Sequence, residues 1–306
     1  MKINLCESFR AMFYTPFYLP LSLGTYETEG VDVTLSTSPS LDTVAEQLRD
    51  GIADVYWGGP MRIMVMRDKN RDPEILGFSE AITRDPFFLI GKQPNASFKL
   101  KDLLGVRFAS VSEVPTPWMC LQEDLRRAHI DPETLNREPG RTMPENVKAL
   151  AAGEADVVQL FQPFAQQVLN EGNGHIWYAQ ATRGHCSYTT LYATKAMIAA
   201  QPDALHRMTR AMYRCQKWLH AAQPSEIASA VLEFFPDINP EILASAAERY
   251  IDLGVWGKDP HLPREGFERL RSSLVSGGLI SQIPKFEDCV HNAFADAVIA
   301  EDPPSA

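Results

Sequence analysis

The chain has 306 residues, 45% of them apolar and 22% charged, the balance of a folded globular protein with one large or two ordinary domains. Its net charge of −10 argues against a nucleic-acid backbone or an anionic membrane surface as the main partner. No apolar run reaches the roughly 18 residues that a membrane-spanning helix needs.

Met1-Lys2 leads straight into a strand-like stretch, KINLCES (2–8). No basic n-region, apolar h-region or small-residue cleavage site is seen there. Two placements stay open: a cytosolic chain, or an exported one whose leader is absent from this sequence. Thr15-Pro16-Phe17 predicts a helix start, with Thr as cap and Pro at the first position, where its missing N–H costs nothing. VDVTLSTS (31–38) alternates as a strand does. Ser40 is then placed to cap a helix with Leu41, Val44, Ala45 and Leu48 on one face, stopped by Gly51. ADVYW follows as a buried strand.

DPFFLIGK (85–92) is an apolar run that predicts an extended crossing, and 93–101 reads as a loop. The order then repeats: strand-like VRFASVS (106–112), Thr116-Pro117-Trp118, and a weaker strand near 134–139. A capping box from Thr142 to Glu145 opens a helix striped by Met143, Val147, Leu150 and Ala151, which Gly153 stops. CSYTTLYATK (186–195) predicts a second crossing, and three helical segments after 195 are expected to pack on the first lobe. The tail EDPPSA is expected to be disordered. The five cysteines have no C-x-x-C pairing and read as free buried thiols.

GIADV (51–55) and GEADV (153–157) close the two units, and the offset between their aspartates nearly equals that between the two Thr-Pro pairs. The chain therefore reads as α/β with a duplicated lobe: residues 1–90 plus 190–306 as lobe one, 91–189 as lobe two. Two hinge crossings join them, and the C-terminal helices lie on lobe one. In open α/β sheets ligands bind beyond the carboxyl ends of the strands, so the lobes would share one cleft.

Strand ends and helix starts supply the candidate ligand-binding residues. Lobe one offers Glu7, Ser8, Phe9, Arg10, Phe13, Tyr14, Phe17, Trp57, Gly58, Gly59, Ser79 and Glu80. Lobe two offers Ser110, Ser112, Glu113, Thr116, Trp118 and Gln162, with Tyr188 near the hinge. Trp57 before Gly58-Gly59 reads either as a stacking wall that the backbone brings close to a ligand or as a core Trp under a tight turn. Two inward carboxylates among Glu7, Glu80 and Glu113 would favour an amine or protonatable heterocycle; Arg10 and the helix N-termini favour an anion. Arg183 and His185 flank the hinge. No complete catalytic, metal or nucleotide motif is present, so no cofactor is expected, and a monomer is.

YTPFYLPLSLGTYETEGVDVTL (14–35) resembles the opening of the NMT1/THI5-like and SsuA/TauA-like solute-binding proteins, through Gly24, Tyr26, Glu29, Gly30, Val31 and Val33. LRDGIADVYWGGP (48–60) and ALAAGEADVVQLFQP (149–163) resemble the family's paired segments, and FFLIG (87–91) and YTTLYATK (188–195) its hinge strands. The likeness covers residues 2–200 well and the rest loosely. It implies a periplasmic-binding-protein type II fold that closes on a small molecule and delivers it to an ABC permease, with a periplasmic location. Sulfonates, taurine, nitrate and aminopyrimidine precursors of thiamin are among the family's ligands; the carboxylates tilt the expectation toward the thiamin-pyrimidine type of N-heterocycle. A cytosolic enzyme of the pyrimidine-forming or lyase type on the same fold is the alternative, with Glu7, Glu80 and Glu113 in proton transfer. The family's synthase branch has an active-site His where Tyr14 stands, and a Cys-rich motif of which this chain shows none.

Overall fold

Two five-stranded sheets with the same internal order organise the chain. The computed structural model describes residues 1–38, 43–69 and 74–306. Strands β1 (Lys2–Glu7), β2 (Asp32–Thr37), β3 (Val55–Gly58), β4 (Ile75–Ile82) and β10 (Thr189–Thr194) form one sheet in the order β2-β1-β3-β10-β4. Strands β5 (Phe88–Gly91), β6 (Arg107–Ala109), β7 (Asn136–Glu138), β8 (Val157–Leu160) and β9 (His175–Ala179) form the other, ordered β7-β6-β8-β5-β9. In each, three strands are parallel and the fourth runs against its neighbours. That fourth strand, β10 or β5, is the one entered directly from the opposite sheet. The central strands VYWG, VVQL and TTLYAT are buried throughout, as strands covered on both faces must be.

The repeated Gly-x-Ala-Asp-Val has one structural job in both sheets. Gly51 and Gly153 take positive φ, 69° and 72°, where each preceding helix turns into its strand. The Asp then ties that strand to its parallel neighbour, β1 or β6. Asp54 accepts from Asn4 N at 2.8 Å and donates its own N–H to Asn4 O at 2.9 Å. Asp156 accepts from Arg107 N at 2.9 Å and donates to Arg107 O at 2.9 Å.

The Thr142–Glu145 box forms as expected, with Thr142 N–H donating to the Glu145 carboxylate at 2.7 Å. The Thr-Pro starts form one residue out of place. Helices Thr15–Ser22 and Thr116–Arg127 have Thr as their first helical residue, not as cap, and the Thr15 hydroxyl donates back to Met12 O. The expected cap Ser40, with Leu41, lies outside the described residues; the helix itself runs Val44–Arg49.

The C-terminal helices do more than cover the first sheet. Pro202–Ala221 packs on Thr15–Ser22, but Arg264–Ser276, which the sequence analysis missed, packs on both Pro60–Asp68 and Thr116–Arg127 and so touches both halves. The tail is held rather than loose. Arg214 and Lys217 donate to the Pro304 and Pro303 carbonyls, and Ala306 N–H donates to Arg214 O. All five cysteines are buried. Among the described residues no helix is long and apolar enough to cross a membrane.

Two crossings join the sheets, 83–87 and 180–188, and a buried charge network pins them together. Arg183, with a side chain 2% exposed, pairs with Asp85 of the other crossing and with Asp124 of the Thr116–Arg127 helix at 2.6 Å. Asp85 also accepts from Gln180 Nε2 and Phe87 N at 3.0 Å each, and Asp124 accepts from Arg269 of the Arg264–Ser276 helix at 3.4 Å. Burial opposes the Arg183 charge, and the two carboxylates outweigh it, holding the guanidinium protonated well above its usual range. Replacing Arg183 by Met leaves Asp85 buried without its cation and Asp124 with the more distant Arg269 alone. The expected loss is about 3–5 kcal/mol in urea unfolding; a loss below about 1 kcal/mol contradicts the network's role.

Candidate functional site

The carboxyl ends of β1 and β3, the start of the antiparallel β10 and the starts of three helices converge on one cavity between the sheets. Its lining comes from Ser8, Phe9, Phe13, Tyr14, Gly58, Gly59, Met61 and Arg62 on the first half. Val114 and Thr116 close it from the second, and Phe87, Tyr188 and Thr189 from the crossings and the start of β10. Its volume is about 30 Å³, room for about two water molecules. The space is small because aromatic side chains from both halves meet in it: Phe13 lies 4.3 Å from Tyr14, 5.2 Å from Phe161 and 6.3 Å from Tyr188, centroid to centroid. Phe9 stacks toward Phe161 across the same gap.

The polar character of the cavity is one-sided. Tyr14 precedes the first residue of Thr15–Ser22, Gly59 caps Pro60–Asp68, and Thr116 opens its own helix. Three helix starts, the positive ends of their dipoles, thus border the cavity. Arg62 is the charged side chain among the described lining residues, and none of them is Cys, His, Asp or Glu. The Tyr188 hydroxyl and the Thr189 Oγ1 are buried without a hydrogen-bond partner. Such groups cost free energy unless something meets them.

Of the residues singled out in the sequence, Ser8, Phe9, Phe13, Tyr14, Gly58, Gly59, Thr116 and Tyr188 come together in this lining. The Gly pair admits protein as well as open space: a Cβ on Gly58 would sit 2.9 Å from the Tyr192 hydroxyl, and one on Gly59 3.1 Å from Tyr188 O. Trp57 and Phe17 stand behind the lining. They stack on each other at 5.3 Å, fully buried, so the core reading of Trp57 describes its present place. Trp118 packs on Phe108 under the Arg137 guanidinium in the core of the second half. Ser112 is exposed, and Gln162 is buried with its Oε1 accepting from Gln166 N.

The carboxylates are where expectation and structure part. Glu7 is fully buried, but it serves the wall: it accepts from Arg10, from the Tyr18 hydroxyl at 2.9 Å and from Thr37 at 3.3 Å. Arg10 is spent on that pair and lies over the Phe234 ring, away from the lining. Glu113 accepts from Met143 N at 2.7 Å and so caps the Met143–Ala152 helix. Glu80 is enclosed beside Ser187 and Asp259, and burial pushes its carboxyl well above the usual range. None of the three carboxylates lines the cavity. Alternation places them there on paper; Glu7 and Glu113 instead complete the hydrogen bonding of neighbouring elements, and both Glu80 carboxylate oxygens are buried with no hydrogen-bond partner among the described residues.

Sequence reasoning passed over Met61, Arg62, Val114 and Thr189 in the lining, and Phe87 as more than a crossing residue. Arg62 had a usable signal, since Pro60 directly after a buried strand marks another helix start at the strand's carboxyl end. A larger groove of about 820 Å³ among Arg84, His185, His220 and His261 takes its lining from the crossings and the first half alone.

This architecture is that of the type II periplasmic binding proteins. The escherichial aliphatic sulphonate-binding protein SsuA superposes with a TM-score of 0.77 over 95% of this chain and 92% of its own, at 12% identity. The desulfurization enzyme DSZB superposes with 0.71 over 98% and 100%, at 13% identity. Among curated sequences, YtlA of Bacillus subtilis (strain 168), named only as a binding protein, is 26% identical over 98% of this chain and 90% of its own. The profile of the NMT1-like family matches residues 12–233, and the chain belongs to that family.

Glu80 yields a test of its burial. Its folded-state pKa is raised above the unfolded value of about 4.3, so its contribution to stability is complete below that pH and is lost as pH rises toward the folded value. Glu80→Gln removes this dependence. Unfolding free energies of the wild type and the variant are expected to diverge in favour of Gln as pH rises above about 4.3; parallel curves would show an ionised, solvated Glu80.

Proposed function

We propose that the protein is the solute-binding component of an ABC-type importer, and that it captures a small organic anion with a flat apolar body between two lobes, residues 1–90 with 190–306 and residues 91–189. The observation that carries this reading is the convergence of three helix N-termini, Arg62 and two partnerless hydroxyls on one aromatic cavity between the sheets. Donors and positive dipole ends suit a sulfonate or carboxylate head. The rings of Phe9, Phe13, Tyr14, Phe87 and Tyr188 suit the body, each contributing on the order of 0.5–1.5 kcal/mol beyond area burial.

The thiamin-pyrimidine expectation loses its main support, because it needed inward carboxylates and the lining takes none. Capture is favoured over turnover by the character of the lining, which offers no side chain that moves a proton near neutral pH or serves as a thiolate nucleophile. The likeness to a sulphonate-binding protein and to a chain named for binding supports the same reading, while DSZB shows that the fold also hosts an enzyme.

A thermal-shift panel of aryl sulfonates, aryl carboxylates and aryl amines tests the proposal. At 100 times its dissociation constant a ligand stabilises the protein by about 2.7 kcal/mol, and the anions are expected to do so. Arg62→Gln is expected to weaken them by about 10- to 100-fold, the worth of one charged hydrogen bond. Stabilisation by the amines alone, or anion binding indifferent to Arg62, would overturn it.

A further inference from the structure

Two of the five thiols face each other. Cys120 lies in the second turn of the Thr116–Arg127 helix and Cys186 on the second crossing, with their sulfurs 3.8 Å apart and both residues buried. Cys215 is 3.1 Å from the Thr25 hydroxyl, and Cys6 sits at the end of β1 beside Gln47. Bringing the Cys120 and Cys186 sulfurs to the 2.05 Å of a disulfide asks each to move by about an ångström, a matter of side-chain rotation.

Their position gives such a bond a consequence. Thr116, one turn before Cys120, lines the cavity from the second half, and Tyr188 and Thr189, just after Cys186, line it from the crossing. We propose that Cys120 and Cys186 are a reversible oxidation site, whose disulfide clamps the helix at one wall of the cavity to the crossing that forms the adjoining wall.

The oxidant is a small-molecule disulfide such as oxidised glutathione. One protein thiolate attacks it, forming a mixed disulfide and releasing one glutathione thiol. The second thiolate then displaces the other glutathione. The two protein thiols give up two protons and two electrons, and the glutathione disulfide leaves as two thiols. Donation of the Cys186 S–H toward the Cys120 sulfur and the burial of Cys186 keep Cys186 protonated when the site is shut, so exchange proceeds through opened molecules.

The full-length protein, incubated with excess oxidised glutathione and alkylated after unfolding, tests this. We expect two of the five thiols to be lost and a tryptic cross-link joining Cys120 to Cys186, both reversed by dithiothreitol. In the oxidised sample amide exchange over 116–120 and 186–189 slows, and Tm rises by at least about 4 °C. Cys120→Ala and Cys186→Ala each abolish the cross-link and the shift, and the mapping on the wild type stands even if a variant folds poorly. Five free thiols, a persistent mixed disulfide, a cross-link between any other pair, or this cross-link without slower exchange would overturn the proposal.

Discussion

Arg183 carries its charge inside the hinge, where its side chain is 2% exposed, and the Asp85 and Asp124 carboxylates are what make that placement tolerable. An unpaired ion there would cost several kcal/mol, so the three side chains stay together or the region opens. The partners come from separate pieces: Asp85 from the first crossing, Arg183 from the second, Asp124 from the second half, and Arg269 from a helix that returns beside the first. Both crossings are thereby held side by side, and the proposed capture would turn the halves about that pin.

Phe87 and Tyr188, from the two crossings that the pin joins, line the cavity. A volume of about 30 Å³ is far below the several hundred that a small organic ligand occupies, so a guest enters only after the aromatic faces part. When they do, Phe9 and Phe13 separate from Phe161, and the Tyr188 and Thr189 hydroxyls gain access to a partner. Apolar contact across the gap favours the shut form, while hydroxyls left partnerless oppose it. A ligand that brings acceptors to those hydroxyls and a flat face to the rings satisfies both demands at once.

Much of the scaffold was readable from the chain, because local rules set it. Gly51 and Gly153 stop helices by their φ, Thr142 and Glu145 cap one another, and uninterrupted apolar runs mark the central strands. The doubled Asp was recognised as a repeat, but its role was not legible. Its partners, Asn4 and Arg107, lie some fifty residues upstream and are met only when the parallel strands pair. The cleft was half legible. Phe9, Phe13, Tyr14 and Tyr188 border the cavity while Phe17, Trp57 and Trp118 pack in the cores behind it, and Glu7 and Glu113 are drawn aside by hydrogen-bond partners that strand alternation does not reveal. The Arg264–Ser276 helix escaped notice because no local signal tells a helix which half it will lie against.

What the account stands or falls on is that the two halves part to admit a guest and come together around it. Fluorescent labels on Ile52→Cys and Glu154→Cys, one on each repeated turn and both exposed, would report the separation of the halves molecule by molecule. The account predicts a longer distance populated without ligand and a single shorter one once a saturating aryl anion is added. One unchanging distance, with the anion nonetheless bound, would contradict it.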